Sequence, residues 1–168
     1  MNDEPAATTS PNGIEFAPPD FTWQDQLTLG DPAIDGIHRE FIDMMQSLYL
    51  ATDAQMLETI NAVIDHTEAH FRHETTLMQL YRFPPIHCHE TEHANVLEVM
   101  QGVRDRVAGG DYRLGRVLAA AMIEWLQVHV PSMDAVLVAW LREQGVDETA
   151  STPAGGLPAD AHHAQAAD

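Results

Sequence analysis

The sequence predicts an all-α protein folded as an up-down-up-down antiparallel four-helix bundle. Apolar residues recur at spacings of three and four in four segments, which is the pattern of helices with one buried face. Proline or glycine turn signals separate these segments, and no alternating strand pattern competes with them. The 168 residues fit one domain with a sizeable core. We expect the bundle over residues 21–145, a flexible N-terminal arm over 1–20 and a disordered tail over 146–168.

The first two helices carry polar residues on the faces that should be buried. Asp31 and Pro32 suit an N-cap and a first helical position, and the second helix is expected from about residue 52 to a stop before Pro84. The inward stripe of the first helix is Ile34, His38, Phe41, Met45 and Leu48. The inward stripe of the second helix is Val63, Thr67, His70, Glu74, Leu77 and Tyr81.

The last two helices show the same mixture of apolar residues and histidine. Pro84-Pro85, Gly109-Gly110 and Gly145 mark their limits. The inward stripe of the third helix is His89, His93, Val96, Met100, Val103 and Val107. The fourth stripe is Leu114, Leu118, Ala121, Trp125, His129 and Met133. Because the connections are short, consecutive helices should run antiparallel.

The composition excludes several classes of protein. A formal net charge of −18 argues against binding to nucleic acids or to anionic membrane surfaces, since both attract Lys and Arg. No apolar run approaches the ~18 residues of a membrane span. The N-terminus lacks the pattern of a secretory signal, and the single Cys88 is compatible with a reducing compartment. These features predict a cytoplasmic protein.

Histidine lies on the inward stripe of every predicted helix. The candidate metal ligands on these stripes are His38, His70, Glu74, His89, His93 and His129. Residues four apart lie on one face of a helix. The pair His70 and Glu74, and the pair His89 and His93, can therefore each direct two metal-binding groups to one point. A single inward histidine is usually a core residue with a hydrogen-bond partner. Five without a common partner would cost roughly 1–3 kcal/mol each, a cost that a shared metal centre removes.

The donor types restrict the metal, and Asp134 is a further candidate ligand. Imidazole and carboxylate without thiolate suit iron, manganese, zinc or copper and disfavour an iron–sulfur cluster. Asp134 follows His129 by five residues, which on a regular helix places it about 140° round from the histidine. Pro131 lies between them and could distort the helix enough to bring Asp134 inward. From spacing alone, a solvated surface aspartate remains the favoured interpretation.

The order and spacing of these residues resemble the ligand signature of the hemerythrin family. The residues that carry the resemblance are His38, His70-x-x-x-Glu74, His89-x-x-x-His93 and His129-x-x-x-x-Asp134. The segments FTWQDQLTLGDPAIDGIHREF, HFRHE and EWLQVHVPSMD around these ligands are similar as well. The similarity covers roughly residues 20–142, and the longer connection between the third and fourth helices resembles the bacterial branch, the bacteriohemerythrins.

This resemblance implies a centre of two non-haem iron ions. Glu74, Asp134 and an oxo or hydroxo group would bridge the two ions, which cycle between Fe2+ and Fe3+. By analogy with the family, one iron would be held by His89, His93 and His129, and the other by His38 and His70.

Counting ligands on this implied centre predicts one open coordination position. Two octahedral irons offer twelve positions, of which the five histidines, the two bridging carboxylates and the shared oxygen fill eleven. The open position falls on the iron held by His38 and His70, and O2 is the ligand expected there. Residues flanking the ligands are the expected wall of a dry O2 pocket, namely Phe41, Phe71, Trp125 and Val130.

The resemblance makes reversible O2 binding the leading interpretation, as a carrier, store or delivery protein without catalysis. The alternatives are a di-iron enzyme acting on peroxide or nitric oxide, and an O2-sensing, redox-sensing or iron-handling module. A weak peroxidase-type activity beside O2 binding is left open. No general acid or base outside the ligand set stands out, which favours binding. We expect a monomer whose partner is O2, with neither nucleic acid nor membrane as a partner. A protein recipient of O2 is left open.

Overall fold

The computed structural model describes residues 19–146, and in this range the chain is helical with its four long segments packed antiparallel, as the sequence predicts. The elements are a 3-10 turn Asp25–Leu27, α1 Pro32–Leu50, α2 Asp53–Leu80, α3 Ile86–Ala108, α4 Arg113–His129, a π-helical turn Val130–Asp134 and α5 Ala135–Glu143. Helix α5 continues α4 beyond the π turn. Residues 1–18 of the predicted arm and 147–168 of the predicted tail lie outside the described residues. Across 19–146, the helices are too short or too polar to span a bilayer.

The helix starts follow from their sequences. The Asp31 side chain accepts hydrogen bonds from the amides of Ala33, at 3.0 Å, and Ile34, at 3.1 Å, which satisfies two otherwise unpaired donors. At the start of α2, Gln55 Oε1 accepts from the Thr52 amide at 3.3 Å, as in a capping box. Both predicted starts are therefore confirmed.

A polar layer divides the core of the bundle. Each helix packs against the next, and α4 packs against α1, which closes the bundle. One apolar cluster, which includes Met45, Ile60 and Met100, fills one end, and a smaller cluster around Met78 and Leu137 fills the other. The inward histidines and carboxylates occur between them along the helices, which places the layer in the middle of the bundle.

The buried face of α4 differs from the predicted stripe. Leu118 and His129 are buried as expected, but Ala121 is exposed, while Ala119 and Met122 are buried. The buried positions of α4 therefore spread wider than one stripe. A pattern at spacings of three and four follows only one edge of such a face.

Leu29 and Gly30, which precede α1, are hydrogen-bonded to side chains of both α1 and α5. The Asp35 carboxylate accepts from the amides of Leu29, at 2.8 Å, and Gly30, at 3.1 Å. Arg142 donates to the Leu29 carbonyl at 2.8 Å. Gly30 has φ +74°, a backbone conformation that L side chains rarely adopt, so glycine is favoured at this bend. The segment thus ties α1 to α5.

We expect Asp35→Ala to lower the free energy of unfolding by about 2 kcal/mol, because two amides lose a charged acceptor in a largely buried setting. Urea denaturation of the metal-free protein measures this change. The control is Asp43→Ala, at an exposed position of the same helix, which should change stability by less than about 0.5 kcal/mol. Equal effects of the two substitutions would contradict a stabilising role for the two hydrogen bonds that Asp35 accepts.

Candidate metal centre

Seven buried side chains from all four long helical segments meet in two adjacent groups. The first group is Glu74, His89, His93, His129 and Asp134. The second group is His38, His70, Glu74 and Asp134. In each group the potential donor atoms lie within 4.8 Å of one another. The two carboxylates belong to both groups, so the groups are two halves of one site.

Glu74 directs a different oxygen to each half of the site. Its Oε2 lies 3.4 Å from His89 Nε2 and 3.3 Å from His93 Nε2. Its Oε1 lies 3.4 Å from His70 Nε2. Because His70 precedes Glu74 by one helical turn on α2, the helix itself sets this second approach.

Asp134 divides its oxygens in the same way. Its Oδ1 lies 3.1 Å from His89 Nε2 and 3.0 Å from His129 Nε2, whereas its Oδ2 lies 3.2 Å from His38 Nε2. Two carboxylates that each face both halves form the arrangement required of bridging ligands between two cations.

The π turn explains how Asp134 reaches the interior. The Ala135 amide donates to the Val130 carbonyl five residues earlier, the hydrogen-bond pattern of a π helix. One extra residue per turn brings His129 and Asp134, five apart, to the same face. Asp134 is fully buried, so the surface interpretation favoured by regular spacing is wrong and the helical distortion considered at Pro131 is confirmed.

Ser132 belongs to the turn and not to the site. Its side chain is exposed, and its hydroxyl donates to the Val128 carbonyl at 2.5 Å. A serine hydroxyl that bonds the carbonyl four residues earlier accompanies local bending of a helix. The polar residue one turn after His129 therefore supports the distorted backbone.

The polar atoms of the site fit a pair of metal ions. Both oxygens of Glu74 and of Asp134 are buried, and within residues 19–146 none of the four has a well-directed hydrogen bond. The same holds for both ring nitrogens of His38 and of His89. An unsatisfied buried polar group costs roughly 1–3 kcal/mol. Imidazole nitrogens and carboxylate oxygens are donors that a bound transition-metal cation satisfies, so the residues present suit one.

The two carboxylates differ in their electrostatic surroundings. Burial raises the pKa of Glu74, and the neighbouring Asp134 carboxylate raises it further. Burial also acts against ionised Asp134, but the close imidazoles of His129, His38 and His89 outweigh it and hold its pKa well below the ordinary value. The ionised form is therefore less stable for Glu74 than for Asp134, and a nearby cation would stabilise ionised Glu74 more.

Burial favours the neutral form of two of the clustered imidazoles. Burial lowers the pKa of His70 well below its ordinary value, and burial with repulsion from His89 lowers the pKa of His93 to about 3. For His89, burial opposes the charged form, yet the contacts with Asp134 and Glu74 raise the pKa to about 9. Neutral imidazole is the form that binds a metal, and His89 must release its proton when a metal binds.

Aromatic rings surround the histidines of the first group. Phe71 stacks on His93, with ring centroids 3.6 Å apart and planes inclined by 2°, and its centroid lies 5.7 Å from that of His70. Trp125 stacks on His129 at 4.3 Å. Of the other residues expected in an O2 pocket, Phe41 and Val130 are buried within the larger apolar cluster. These contacts limit the rotation of the histidine rings.

Sequence reasoning missed two residues beside the site. Phe83 is buried and approaches His89 edge-on, with centroids 6.3 Å apart, and its position between a helix end and two prolines concealed this role. Glu92 accepts from Trp125 Nε1 at 3.0 Å and so holds that ring in place. A glutamate one residue before His93 was the available signal.

Within residues 19–146, three further histidines lie outside the two groups. His66 and His73 are half-buried, and His87 is exposed. The His66 ring nitrogen Nδ1 lies 4.0 Å from a carboxylate oxygen of the exposed Glu40. Helical spacing predicts that His66, His73 and His87 lie away from the clustered side chains, and the fold keeps them outside the two groups.

The match to known families agrees with this geometry. The model of the hemerythrin HHE cation binding domain matches residues 29–141, the range that contains all seven clustered side chains. The chain belongs to the hemerythrin family. Its hemerythrin fold and its buried histidine–carboxylate groups are together consistent with a site for two metal ions.

Several proteins named bacteriohemerythrin are similar to this chain. A bacteriohemerythrin from Ralstonia nicotianae is 40% identical over 129 residues, which make up 77% of this chain and 94% of that protein. One from Stenotrophomonas maltophilia is 30% identical over 116 residues, 67% of this chain and 75% of that protein. One from Methylococcus capsulatus is 23% identical over 104 residues, 60% of this chain and 79% of that protein. The chain is thus a homologue of bacteriohemerythrins.

Proposed function

We propose that this protein binds O2 reversibly at a di-iron centre, as a carrier, store or delivery protein and not as an enzyme. The observation that carries the proposal is the shared use of two carboxylates by two unequal groups of buried histidines. One group has three histidines and the other has two. An ion in the smaller group would have fewer protein ligands, and a small diatomic ligand could bind there.

Five of the seven side chains would each bind one iron, and two would bridge the irons. His89, His93 and His129 would hold one iron, and His38 and His70 the other. Glu74 and Asp134 would bridge the pair and supply two negative charges. When bound, two ferrous ions would supply the two electrons that O2 accepts at such a centre.

The protein around the site would keep water away from the irons. None of the seven side chains is more than 8% exposed, and His70, in the smaller group, is the one that reaches this value. Phe41, Phe71, Trp125 and Val130 remain the proposed wall of the O2 pocket. A dry site favours reversible binding, since water and protons would promote loss of the bound oxygen in a reduced form.

The aromatic rings packed on the ligand histidines favour binding over catalysis. The rings in contact with the ligand histidines belong to Phe71, Phe83 and Trp125, and none of them can serve as a general base. Peroxide or nitric oxide turnover requires protons to be delivered to the reacting atoms. The aromatic surroundings therefore support an O2-binding role.

Optical spectroscopy on the reduced iron-loaded protein tests the proposal. Addition of O2 under otherwise anaerobic conditions should produce a visible charge-transfer band, which should fade when O2 is removed and return when it is readmitted. Oxidation to a ferric product in a single mixing, with no return, would contradict a carrier and favour the enzyme or sensor.

A further inference from the structure

The carboxylate of Glu92 joins α3 to α4 beside the first group of clustered side chains. Trp125 Nε1 donates to Glu92 Oε1 at 3.0 Å, and both side chains are half-buried. Glu92 immediately precedes His93 on α3, and Trp125 lies one helical turn before His129 on α4. The hydrogen bond therefore links the two helix segments that carry two of the three histidines of this group.

The Trp125 indole is held by contacts on several sides. Its face stacks on the His129 ring, with centroids 4.3 Å apart and planes inclined by 23°. The Phe71 ring approaches it with centroids 6.1 Å apart and planes inclined by 63°. Ring contacts of this kind allow the rings to slide and turn, whereas a hydrogen bond from the indole N–H is directional. Glu92 thus supplies the contact that sets the direction of the Trp125 ring.

The His129 imidazole lacks the protein partner that usually orients a metal-binding histidine. Its Nε2 faces the site, 3.0 Å from Asp134 Oδ1 and 3.1 Å from His93 Nε2. Its Nδ1 is buried, and no group within residues 19–146 accepts a hydrogen bond from it. In metal sites this second nitrogen ordinarily donates to a carboxylate or a carbonyl, which fixes the plane of the ring. The stacked Trp125 indole is in a position to fix that plane instead.

We propose that Glu92 is a positioning residue of the metal centre, which holds the Trp125 indole face-on against the His129 imidazole. The face of an indole attracts positive charge. An imidazole bound to a metal ion becomes partly positive because the ion withdraws electrons from it, and a ferric ion withdraws more than a ferrous one. The positioned indole therefore stabilises the ferric form of the iron that His129 would hold. This inference rests on the di-iron centre of the proposed function but not on reversible O2 binding.

A purely structural role for Glu92 makes a different prediction. A hydrogen bond between two helices stabilises a bundle whether or not a metal is bound. Its loss would lower the stability of the metal-free and iron-loaded proteins alike and would leave the balance of ferric and ferrous iron unchanged. The ratio of ferric to ferrous iron at a fixed potential is therefore the readout that separates the two roles.

A redox titration of the iron-loaded full chain under nitrogen tests the proposal. At the solution potential where half of the wild-type iron is ferric, Glu92→Ala should lower the ratio of ferric to ferrous iron about threefold, the size of one cation–π contact. Glu92→Gln keeps an oxygen that can accept from the indole N–H, so it should restore most of the wild-type ratio. The matched control is Glu90→Ala, at a half-buried glutamate of the same helix beside the candidate ligand His89. It removes an equal charge without touching the hydrogen bond to Trp125, and it should change the ratio far less.

The Trp125→Phe background shows whether Glu92 acts through the indole. Phenylalanine has no N–H for Glu92 to hold, so in this background Glu92→Ala should leave the ratio unchanged. Equal changes in the two backgrounds would show that the carboxylate acts directly through its charge. That result, a wild-type ratio in Glu92→Ala, or a ratio in Glu92→Gln as low as in Glu92→Ala would overturn the proposal.

Hydrogen exchange in the metal-free protein gives a readout that needs no iron. The indole N–H signal that disappears in Trp125→Phe should exchange with D2O more slowly in the wild type than in Glu92→Ala, and equal rates would contradict the anchoring of the ring. Failure of the proposed function is distinguishable from failure of this inference. A wild type that does not release O2 would contradict the carrier alone, whereas an unchanged iron ratio in Glu92→Ala beside reversible O2 binding would contradict the positioning role alone.

Discussion

Replacing Glu74 with alanine should reduce the iron content of the purified protein from two ions per chain to well below one. Glu74 is fully buried and directs one oxygen to each half of the site, so its loss weakens both halves together. The loss of one terminal histidine would affect one half first. Iron analysis against protein concentration measures the outcome, and Glu74→Gln, which preserves the shape of the side chain, should lose iron as well.

The control for this prediction is Glu68→Ala, a half-buried glutamate of the same helix outside the two groups. It should retain two iron ions per chain. The helical circular dichroism of both Glu74 variants should match that of the wild type, because the fold has two apolar clusters that do not include Glu74. An unchanged iron content in a folded Glu74→Ala protein would exclude the bridged centre.

Removal of iron by a chelator should lower the Tm of the wild type by about 10 °C or more. A ligand bound at 1,000 times its Kd stabilises the folded state by about 4 kcal/mol, and each kcal/mol shifts the Tm of a chain this long by about 2–4 °C. Without a cation, Glu74 and Asp134 are two buried carboxylates in one polar layer, and burial together with Asp134 disfavours ionisation of Glu74. Differential scanning calorimetry before and after chelation measures the shift.

Glu74→Gln separates metal stabilisation from the fold's own stability. Because this variant should bind little iron, the chelator should not change its Tm. Its Tm should lie close to that of the metal-free wild type, since the substitution keeps the shape of the side chain and removes a carboxylate whose ionisation is opposed by burial and by Asp134. A Tm far below that of the metal-free wild type would show that Glu74 stabilises the fold without a metal.

The sequence predicted the fold and six of the clustered side chains because helical periodicity determines which face a residue occupies. His70 with Glu74, and His89 with His93, needed only the four-residue spacing of a regular helix. The structure places each pair at the centre of the bundle. The apolar stripes of α1, α2 and α3 were likewise sufficient to orient those helices, since one face of each carries most of the buried side chains.

The seventh side chain and the face of α4 were harder to predict for a local reason. Asp134 reaches the site through the π turn, and a backbone distortion of one residue leaves no periodic signal in a sequence. Pro131 indicated a distortion of the helix, but only the resemblance to the hemerythrin family favoured Asp134 as a ligand. Ala121 was placed inward because residues 118–123 are all apolar, so spacing alone does not select which of them face the core.

The central claim, reversible O2 binding by two irons acting together, is tested most directly by the stoichiometry of gas uptake. Reduced protein with its full iron content should take up one O2 per two iron ions and release it as O2 when the gas phase is exchanged for nitrogen. Repeated cycles should return the same amount. Uptake without release of O2, or uptake by the folded Glu74→Ala protein equal to that of the wild type, would contradict the claim.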